Sequence, residues 1–176
     1  MPKISELTAP PSLELFSELV ELLQDAVKSG AAIGWTEPPS TKEARNYWTE
    51  VLEAVGRGER LLFVATDNHV CAGAIQLAVS TRAATRHRAE VQKLMVHSQF
   101  RRRGIGRALL AALEAAAIDR GVSLLLVDLP SGSAAEQMCR RSGFRLVGQV
   151  PGFTRSASGS FDPVSIYYRQ LAPAAG

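Results

Sequence analysis

The residues best suited to chemistry are a run of arginines that leads into two glycines and an apolar helical pattern. The run reads Arg101-Arg102-Arg103-Gly104-Ile105-Gly106-Arg107 and follows a strand-like segment at 90–96. Free main-chain N–H groups at a helix start point outward, with the positive end of the helix dipole behind them. Glycines let the backbone approach a ligand, and arginines add charge-assisted hydrogen bonds. The pattern therefore predicts a phosphate site; a solvated basic loop is the alternative.

The rest of the chain predicts the elements that position this loop. Two helices are expected near the N-terminus, one opened by Ser12 and one by Ser40 or Thr41, and Ser131 or Ser133 caps a late helix. A loop is expected between the last two strands. This order predicts an α/β or α+β sandwich around a mixed sheet. The strand-like runs lie at 1–7, 61–66, 71–79, 90–96, 122–127, 144–150 and 165–171.

Length and composition indicate an ordinary globular chain. A length of 176 residues predicts a single domain over 1–176, with only 172–176 reading as a loose tail. Hydrophobic residues make up 46% and charged residues 21% of the chain, as is usual for such domains. The net charge of +3 is concentrated in the arginine run. This favours a local anion site and argues against a nucleic-acid face.

The cysteines and histidines show no ligand pattern. Cys71 and Cys139 lie far apart, and the three histidines show no helical i, i+4 pair, so neither a disulfide framework nor a metal site is predicted. No signal peptide and no apolar run long enough to span a bilayer is apparent. We therefore expect a cytoplasmic protein with reduced thiols, no metal and no membrane partner.

The arginine run also carries a family resemblance. Arg101-x-x-Gly104-x-Gly106 matches the Arg/Gln-x-x-Gly-x-Gly/Ala signature of the GNAT superfamily of N-acetyltransferases, and the likeness extends over 61–171. The implied fold is a splayed, mixed and mostly antiparallel sheet of about seven strands with about four helices. Three further segments resemble the tabtoxin-resistance acetyltransferase branch: Arg88-Ala89-Glu90-Val91-Gln92-Lys93-Leu94-Met95-Val96, Gly30-Ala31-Ala32-Ile33-Gly34-Trp35 and Val147-Gly148-Gln149-Val150-Pro151-Gly152-Phe153.

This resemblance implies acetyl transfer from acetyl-coenzyme A to the primary amine of a small molecule, and the branch suggests a toxin or an antibiotic. The pantetheine arm is expected between the strands at 90–96 and 122–127, held by main-chain groups of Met95 and Val96. The pyrophosphate is expected on the N–H groups of 103–108. The cofactor-binding residues implied in this way are Leu94, Met95, Val96, Arg101, Arg102, Arg103, Gly104, Ile105, Gly106, Arg107, Ala108 and Ser133.

The implied reaction needs a base, because an ammonium group has no lone pair with which to attack. A lysine-like amine has a pKa near ~10.4, so a proton must be removed at neutral pH. We assign this role to Glu90 and Asp128, which end two predicted central strands and match acidic positions of the tabtoxin-resistance branch. The alternative is structural: Glu90 pairs with Arg88, and Asp128 caps the following turn.

One position departs from the superfamily. Members commonly carry Tyr-x-x-x-Gly-Phe, with the tyrosine as general acid for the leaving thiolate, whereas this chain has Cys139 in that place. The usual asparagine seven residues earlier is replaced by Gly132. Free cysteine is more often inert packing than a proton donor, so we interpret Cys139 as packing. The alternative proton donors are Tyr167, Tyr168, a serine such as Ser133, and water.

Other functions remain as alternatives at this stage. The acceptor could be a protein N-terminus or a lysine, and the missing tyrosine allows a non-catalytic acyl-CoA sensor. A nucleic-acid module using the arginine run is disfavoured by the small net charge. Trp35 and Trp48 are candidates to line an acceptor pocket, although an aromatic at helical spacing such as Trp48 is typical of a core. The resemblance also allows a homodimer.

Overall fold

A seven-stranded sheet with helices on both faces forms the body of the protein. The computed structural model describes residues 2–156 and 158–171, so the predicted tail at 172–176 lies outside the described residues. The helices and strands, in chain order, are β1 (Lys3–Glu6), α1 (Leu13–Lys28), α2 (Thr41–Gly56), β2 (Arg60–Asp67), β3 (Val70–Val79), β4 (Arg88–Val96), α3 (Ile105–Asp119), β5 (Leu124–Pro130), α4 (Ala134–Arg141), β6 (Arg145–Arg155) and β7 (Phe161–Gln170).

The sheet is mixed and mostly antiparallel, which confirms the predicted fold class. Its strand order is β1-β2-β3-β4-β5-β7-β6, and only β4 and β5 run parallel. These two strands pair only where Arg88–Glu90 of β4 lies beside Leu124–Leu126 of β5. Beyond that point β4 continues against β3, and β5 continues against β7. The sheet therefore opens between β4 and β5, as the predicted splay requires.

Each face of the sheet has its own apolar core. On one face, α1 and α2 contact β2, β3 and β4 through a cluster that includes Leu22, Trp48 and Met95. On the other face, α3 and α4 cover a cluster that includes Leu109 and Val127. We call the face of α1 and α2 the front face and the face of α3 and α4 the back face. The opening between β4 and β5 lies between these two cores.

The predicted helix starts are confirmed by their caps. The Ser12 hydroxyl accepts from the Leu15 N–H at 3.2 Å at the start of α1. At the start of α2, Ser40 and Glu43 form a reciprocal capping box, which fixes Ser40 rather than Thr41 as the cap. Ser133, not Ser131, caps α4. Local side chains therefore set where these helices begin.

The limits of the last three strands differ from the sequence prediction. The loop expected between the last two strands is mostly strand, because β6 extends to Arg155 and β7 begins at Phe161. Pro151 is tolerated inside β6 because β6 is an edge strand, and the pairing is irregular between Val150 and Thr154. β5 extends to Pro130, beyond the predicted end of this strand at 127.

Candidate active site

The predicted phosphate site has the main-chain geometry of an anion cradle. Arg102 and Gly104 adopt left-handed conformations, with φ of 62° and 79°, and turn the chain into α3. The first hydrogen bond of the helix runs from the Ala108 N–H to the Gly104 carbonyl oxygen at 3.0 Å. The N–H groups of Ile105 and Gly106 precede that bond and have no partner inside the helix. This arrangement suits an anion that carries several oxygen atoms.

Two of the arginines already make contacts within the chain. Arg101 Nε donates to the Val96 carbonyl oxygen at 3.2 Å, which ties the loop to the end of β4. Arg103 Nη1 lies 3.4 Å from Asp67 Oδ2, and its guanidinium lies 5.3 Å from the centroid of the Phe100 ring. The Arg103 side chain is 57% exposed, so this ion pair is weak and can exchange for a bound anion.

The cradle lies directly against the end of β4. A Cβ atom placed on Gly106 would meet Met138 Sδ at 3.3 Å and Val96 Cγ2 at 3.7 Å. On the next strand, a Cβ atom on Gly73 would lie 2.7 Å from the Met95 carbonyl oxygen, a separation that real side chains do not show. Glycines at these positions allow α3 and β3 to pack closely around the strand that borders the opening.

A β-bulge interrupts β4 beside the opening. Lys93 and Leu94 lie opposite the single residue Ile75 of β3, because the register shifts at this point. Lys93 has a φ of 50°, which is uncommon for a residue other than glycine. As a consequence, Gln92 and Lys93 both contact residues of the front face. The segment was predicted as a strand without a bulge, although the consecutive polar residues Gln92 and Lys93 interrupt its alternation.

The structure brings Glu90 and Asp128 to the same face of the sheet. Their chain neighbours belong to the back-face core, so the alternation of a strand places both carboxylates on the front face. Glu90 pairs in register with Leu126, and Asp128 lies two residues farther along β5, where the strands have parted. Both residues are exposed. They therefore flank the opening, and they lie inside their strands, not at the strand ends that the sequence suggested.

The remaining predicted cofactor residues lie around the same opening. Leu94 and Val96 pack at the margin of the back-face core, and Met95 is buried in the front-face core. Arg102 and Arg107 are exposed, and no ion pair to either is present among residues 2–156 and 158–171. Ser133 lies on α4, where its hydroxyl accepts from the Glu136 N–H at 3.1 Å.

Cys139 is buried where the superfamily pattern places a tyrosine. Its side chain is 3% exposed within the back-face core. Burial, aided by the nearby Glu114 carboxylate, raises the pKa of the thiol to about 11. A thiol with this pKa is a weak acid, and its burial in the core is what a packing role requires. The geometry supports the interpretation of Cys139 as packing.

The two tyrosines of β7 differ in their surroundings. Tyr167 is 2% exposed, and its hydroxyl donates to Glu136 Oε1 at 2.7 Å. Burial, followed by this hydrogen bond, raises the pKa of Tyr167, so its proton is held at that carboxylate. Tyr168 pairs in register with Leu126 and shares the front face with Asp128. Of the two, Tyr168 is the one on the same face as the carboxylates.

A polar network on the front face was missed by the sequence analysis. Arg60 Nη1 donates to Gln76 Oε1 at 2.5 Å and to Gln92 Oε1 at 2.9 Å, and Gln76 Nε2 donates to the Tyr47 hydroxyl at 2.8 Å. Gln76 is fully buried. The available signal was a single glutamine in the middle of the apolar run 71–79, since a buried amide must be hydrogen-bonded.

The aromatic residues considered for the acceptor pocket have different roles. Trp48 is fully buried in the front-face core, as its helical spacing predicted. Trp35 is partly exposed in the loop between α1 and α2, and its ring lies edge-on to Tyr47, with 5.0 Å between centroids. Lys93 Nζ lies 5.7 Å from the centroid of the Trp35 ring. Trp35 therefore packs beside Lys93 on the front face, whereas Trp48 is part of the core.

Two kinds of feature are missing from the described part of the chain. Within residues 2–156 and 158–171, no three His, Cys, Asp or Glu side chains come together to hold a metal ion. In the same residues, no helix has the length and apolar character needed to cross a bilayer.

The anion cradle at the start of α3 lies beside an opening in the sheet, an arrangement that suits a phosphate-bearing ligand. The sequence profile of the Acetyltransferase (GNAT) family matches residues 18–144. The chain belongs to this family. The seven-stranded open sheet with four helices is accordingly the GNAT fold.

Individual relatives agree with this assignment. An uncharacterized N-acetyltransferase from the hisH–hisA intergenic region of Azospirillum brasilense is 34% identical over 114 residues, which is 64% of this chain and just under two thirds, 66%, of that protein. The crystal structure of a ribosomal-protein-alanine N-acetyltransferase from Brucella melitensis is 26% identical, with a TM-score of 0.76 over 89% of this chain and 94% of that one. The Salmonella typhimurium protein yncA, described with its cofactor acetyl-CoA, shares the fold at 21% identity, with a TM-score of 0.74 over 99% and 97% of the two chains.

Proposed function

We propose that the protein is an acetyl-CoA-dependent N-acetyltransferase that acts on the primary amine of a small molecule in a ternary complex. One observation carries this proposal: the anion cradle at the start of α3 and the Glu90–Asp128 carboxylates border the same opening between β4 and β5. A carrier whose diphosphate is bound at the cradle can extend a thioester through the opening toward the carboxylates. The relative described with acetyl-CoA supports the choice of carrier.

The residues present fit coenzyme A. The N–H groups at the start of α3 and the exposed Arg102, Arg103 and Arg107 would hold the diphosphate. Main-chain groups of β4 at Leu94–Val96 would hold the pantetheine arm where the strand lacks a partner in β5. Acetyl-CoA, when bound, supplies an acetyl group activated as a thioester. A β4 N–H group aimed at the thioester oxygen would stabilise the charge that develops there.

Glu90 and Asp128 would prepare the amine. An alkylammonium substrate is attracted to two exposed carboxylates, and one of them, directly or through water, removes the proton that blocks the nitrogen lone pair. The neutral nitrogen would then attack the carbonyl carbon, and the new amide bond would form as the carbon–sulfur bond breaks. The nitrogen would release its second proton to water, and the thiolate would take a proton. Because Cys139 and Tyr167 are buried and their pKa values are raised, we assign this last proton to water or to Tyr168.

The acceptor is inferred from sequence segments and from one similar structure. The tabtoxin-resistance-like segments favour a small toxin or antibiotic that bears a primary amine. Likeness to the Brucella melitensis ribosomal-protein-alanine N-acetyltransferase supports a second candidate, a protein N-terminal amine. The cytoplasm is the proposed location, since Cys71 and Cys139 are both free, as expected in a reducing compartment.

The test of this function separates binding from chemistry. Acetyl-CoA is expected to raise the melting temperature, because a ligand that binds only the folded state stabilises it. The enzyme is then mixed with acetyl-CoA and a panel of small amines, amino acids and peptides, and products are read by free-thiol release and mass spectrometry. Acetylated small amines would support the proposal, and acetylated peptides alone would favour the second candidate. A melting shift with no product would identify a non-catalytic acyl-CoA sensor. If acetyl-CoA causes no melting shift, both the enzyme and the sensor hypotheses are wrong.

A further inference from the structure

Lys93 occupies an unusual position on the front face. The bulge of β4 holds its backbone at a φ of 50°, and its side chain reaches across to the loop between α1 and α2. There Lys93 Nζ donates to the Ile33 main-chain carbonyl oxygen at 2.6 Å, although the two residues are sixty positions apart in the chain. A left-handed backbone on a residue that is not glycine marks a conformation imposed by its surroundings.

The Ile33–Trp35 segment, which we call the Trp35 loop, is shaped around this ammonium group. Besides the hydrogen bond from Lys93 Nζ to Ile33, the loop contains Gly34 at a φ of 103°, and a Cβ atom on Gly34 would lie 3.3 Å from Lys93 Nζ. The Trp35 ring lies 5.7 Å from the same nitrogen, within the range of a cation–π contact. Three consecutive residues therefore contact one side chain of β4.

The same nitrogen is surrounded by the charges of the proposed active site. Burial lowers the pKa of Lys93, whereas the carboxylates of Asp128 and Glu90 raise it and the Arg60 guanidinium lowers it. From α2, Tyr47 and Glu50 line a small cavity of about 160 Å³ that also includes Lys93. An ammonium group has three donors, and one of them is used by Ile33.

We propose that Lys93 is a positioning residue of the acceptor site, which anchors the Trp35 loop as a wall of that site. The inference rests on the proposed function for the identity of the acceptor site, but the anchoring itself does not require catalysis. The contacts that carry it join β4 to the α1–α2 loop.

The expected consequence concerns the acceptor and not the cofactor. Without the Lys93 ammonium group, the Trp35 loop loses its hydrogen-bond donor and its cation–π partner, so it should open more often. The anion cradle lies on the other side of the opening and should be unaffected.

The experiment compares Lys93→Met with Lys93→Arg and with Lys42→Met, an exposed lysine of α2. Hydrogen exchange of the segment 31–36 is measured with and without acetyl-CoA, together with kcat and the KM values for both substrates. For Lys93→Met we expect at least tenfold faster exchange of the segment and an acceptor KM raised about tenfold or more. The KM for acetyl-CoA should stay within twofold, Lys93→Arg should be intermediate, and Lys42→Met should resemble the wild type.

The outcomes distinguish this inference from the proposed function. If Lys93→Met leaves segment exchange and acceptor KM at the wild-type values, the positioning role is wrong. If no amine is acetylated by the wild type, the proposed function fails while the exchange measurement still decides whether Lys93 anchors the loop. Should Lys93→Met not fold, Gly34→Ala displaces the ammonium group from the loop side and should raise segment exchange and acceptor KM in the same way. A wild-type acceptor KM in that variant would contradict the role.

Discussion

The two sides of the opening between β4 and β5 are built in different ways. The proposed cofactor side is made mainly of main-chain groups: N–H donors at the start of α3 and glycines that allow close packing. The proposed acceptor side is made of side chains from two strands and a loop: Glu90, Lys93, Asp128 and Trp35. Main-chain donors are present whatever the side chains are, whereas each acceptor-side group depends on one residue.

This difference predicts opposite responses to mutation. Truncating a side chain should matter little on the cofactor side and a great deal on the acceptor side. Adding a side chain at the glycines that line the cradle should weaken cofactor binding, since there the backbone itself must approach the ligand. Variants on the two sides of the opening test this contrast.

Removing both carboxylates should have the largest effect. We expect Glu90→Gln with Asp128→Asn to lower kcat/KM for the amine by about 100- to 10,000-fold, because the amine then has no nearby proton acceptor. The dissociation constant for acetyl-CoA should stay within twofold. Steady-state rates by thiol release and calorimetric titration of acetyl-CoA measure the two quantities.

The control for this pair is Glu50→Gln, which removes an exposed carboxylate that lines the nearby front-face cavity. It should change kcat/KM by less than threefold, which shows that the effect does not come from negative charge in general. An unchanged acetylation rate in the double variant would remove Glu90 and Asp128 from the mechanism.

Enlarging Gly106 should have the next largest effect. A Cβ atom there already meets Met138 Sδ at 3.3 Å and Val96 Cγ2 at 3.7 Å, and the branches of valine would fill the space beside β4. Overpacking of this kind costs about 1–3 kcal/mol, so Gly106→Val should raise the KM for acetyl-CoA roughly 10- to 100-fold. The acceptor KM should be nearly constant. An acetyl-CoA KM equal to that of the wild type would show that the carrier does not pass this point.

The sequence predicted the locally determined features much better than the long-range ones. Ser12, Ser40 and Ser133 set helix starts through neighbours three residues away, and the Gly104 turn is equally local. The bulge at Lys93 depends on longer-range geometry. Two consecutive polar residues interrupt the alternation of this segment, but the register shift itself exists only when β4 is paired with β3.

The same reasoning explains the other differences. Only the segment between the two predicted strands of the β6–β7 hairpin was predicted as a loop, because it contains glycines, serines and prolines, but an edge strand can contain a proline. The joint position of Glu90 and Asp128 depended on β4 and β5 being neighbours, which came from the family resemblance and not from spacing. The structure places both on one face, while their role as bases stays a prediction.

Truncating Arg103 should have a smaller effect, because the cradle is mainly main chain. The side chain is exposed and shares its charge with Asp67 at 3.4 Å, and exposed ion contacts contribute up to about 1 kcal/mol. Arg103→Ala should therefore raise the KM for acetyl-CoA by no more than about fivefold and leave kcat within twofold. The increase should shrink at high salt, since screening weakens the wild-type contact. Arg57→Ala, an exposed arginine paired with Glu59, is the matched control. A larger loss in kcat than in KM would indicate that Arg103 takes part in the chemistry.

The smallest effect is expected at Cys139, the position where many relatives of this superfamily carry a tyrosine. If the thiol only packs, Cys139→Ala should leave kcat and both KM values within twofold.

The raised pKa of about 11 gives an independent check by chemical labelling. At pH 8 only about one part in a thousand of the Cys139 thiol is thiolate, so iodoacetamide should label this residue slowly in the native protein, with a rate that rises tenfold per pH unit. Unfolding in denaturant should restore an ordinary pKa and fast labelling. Two results together would identify the thiol as the proton donor: rapid labelling of native Cys139 at pH 8 and a kcat that falls tenfold in Cys139→Ala. A side chain on the cofactor side of the opening would then take part in the reaction.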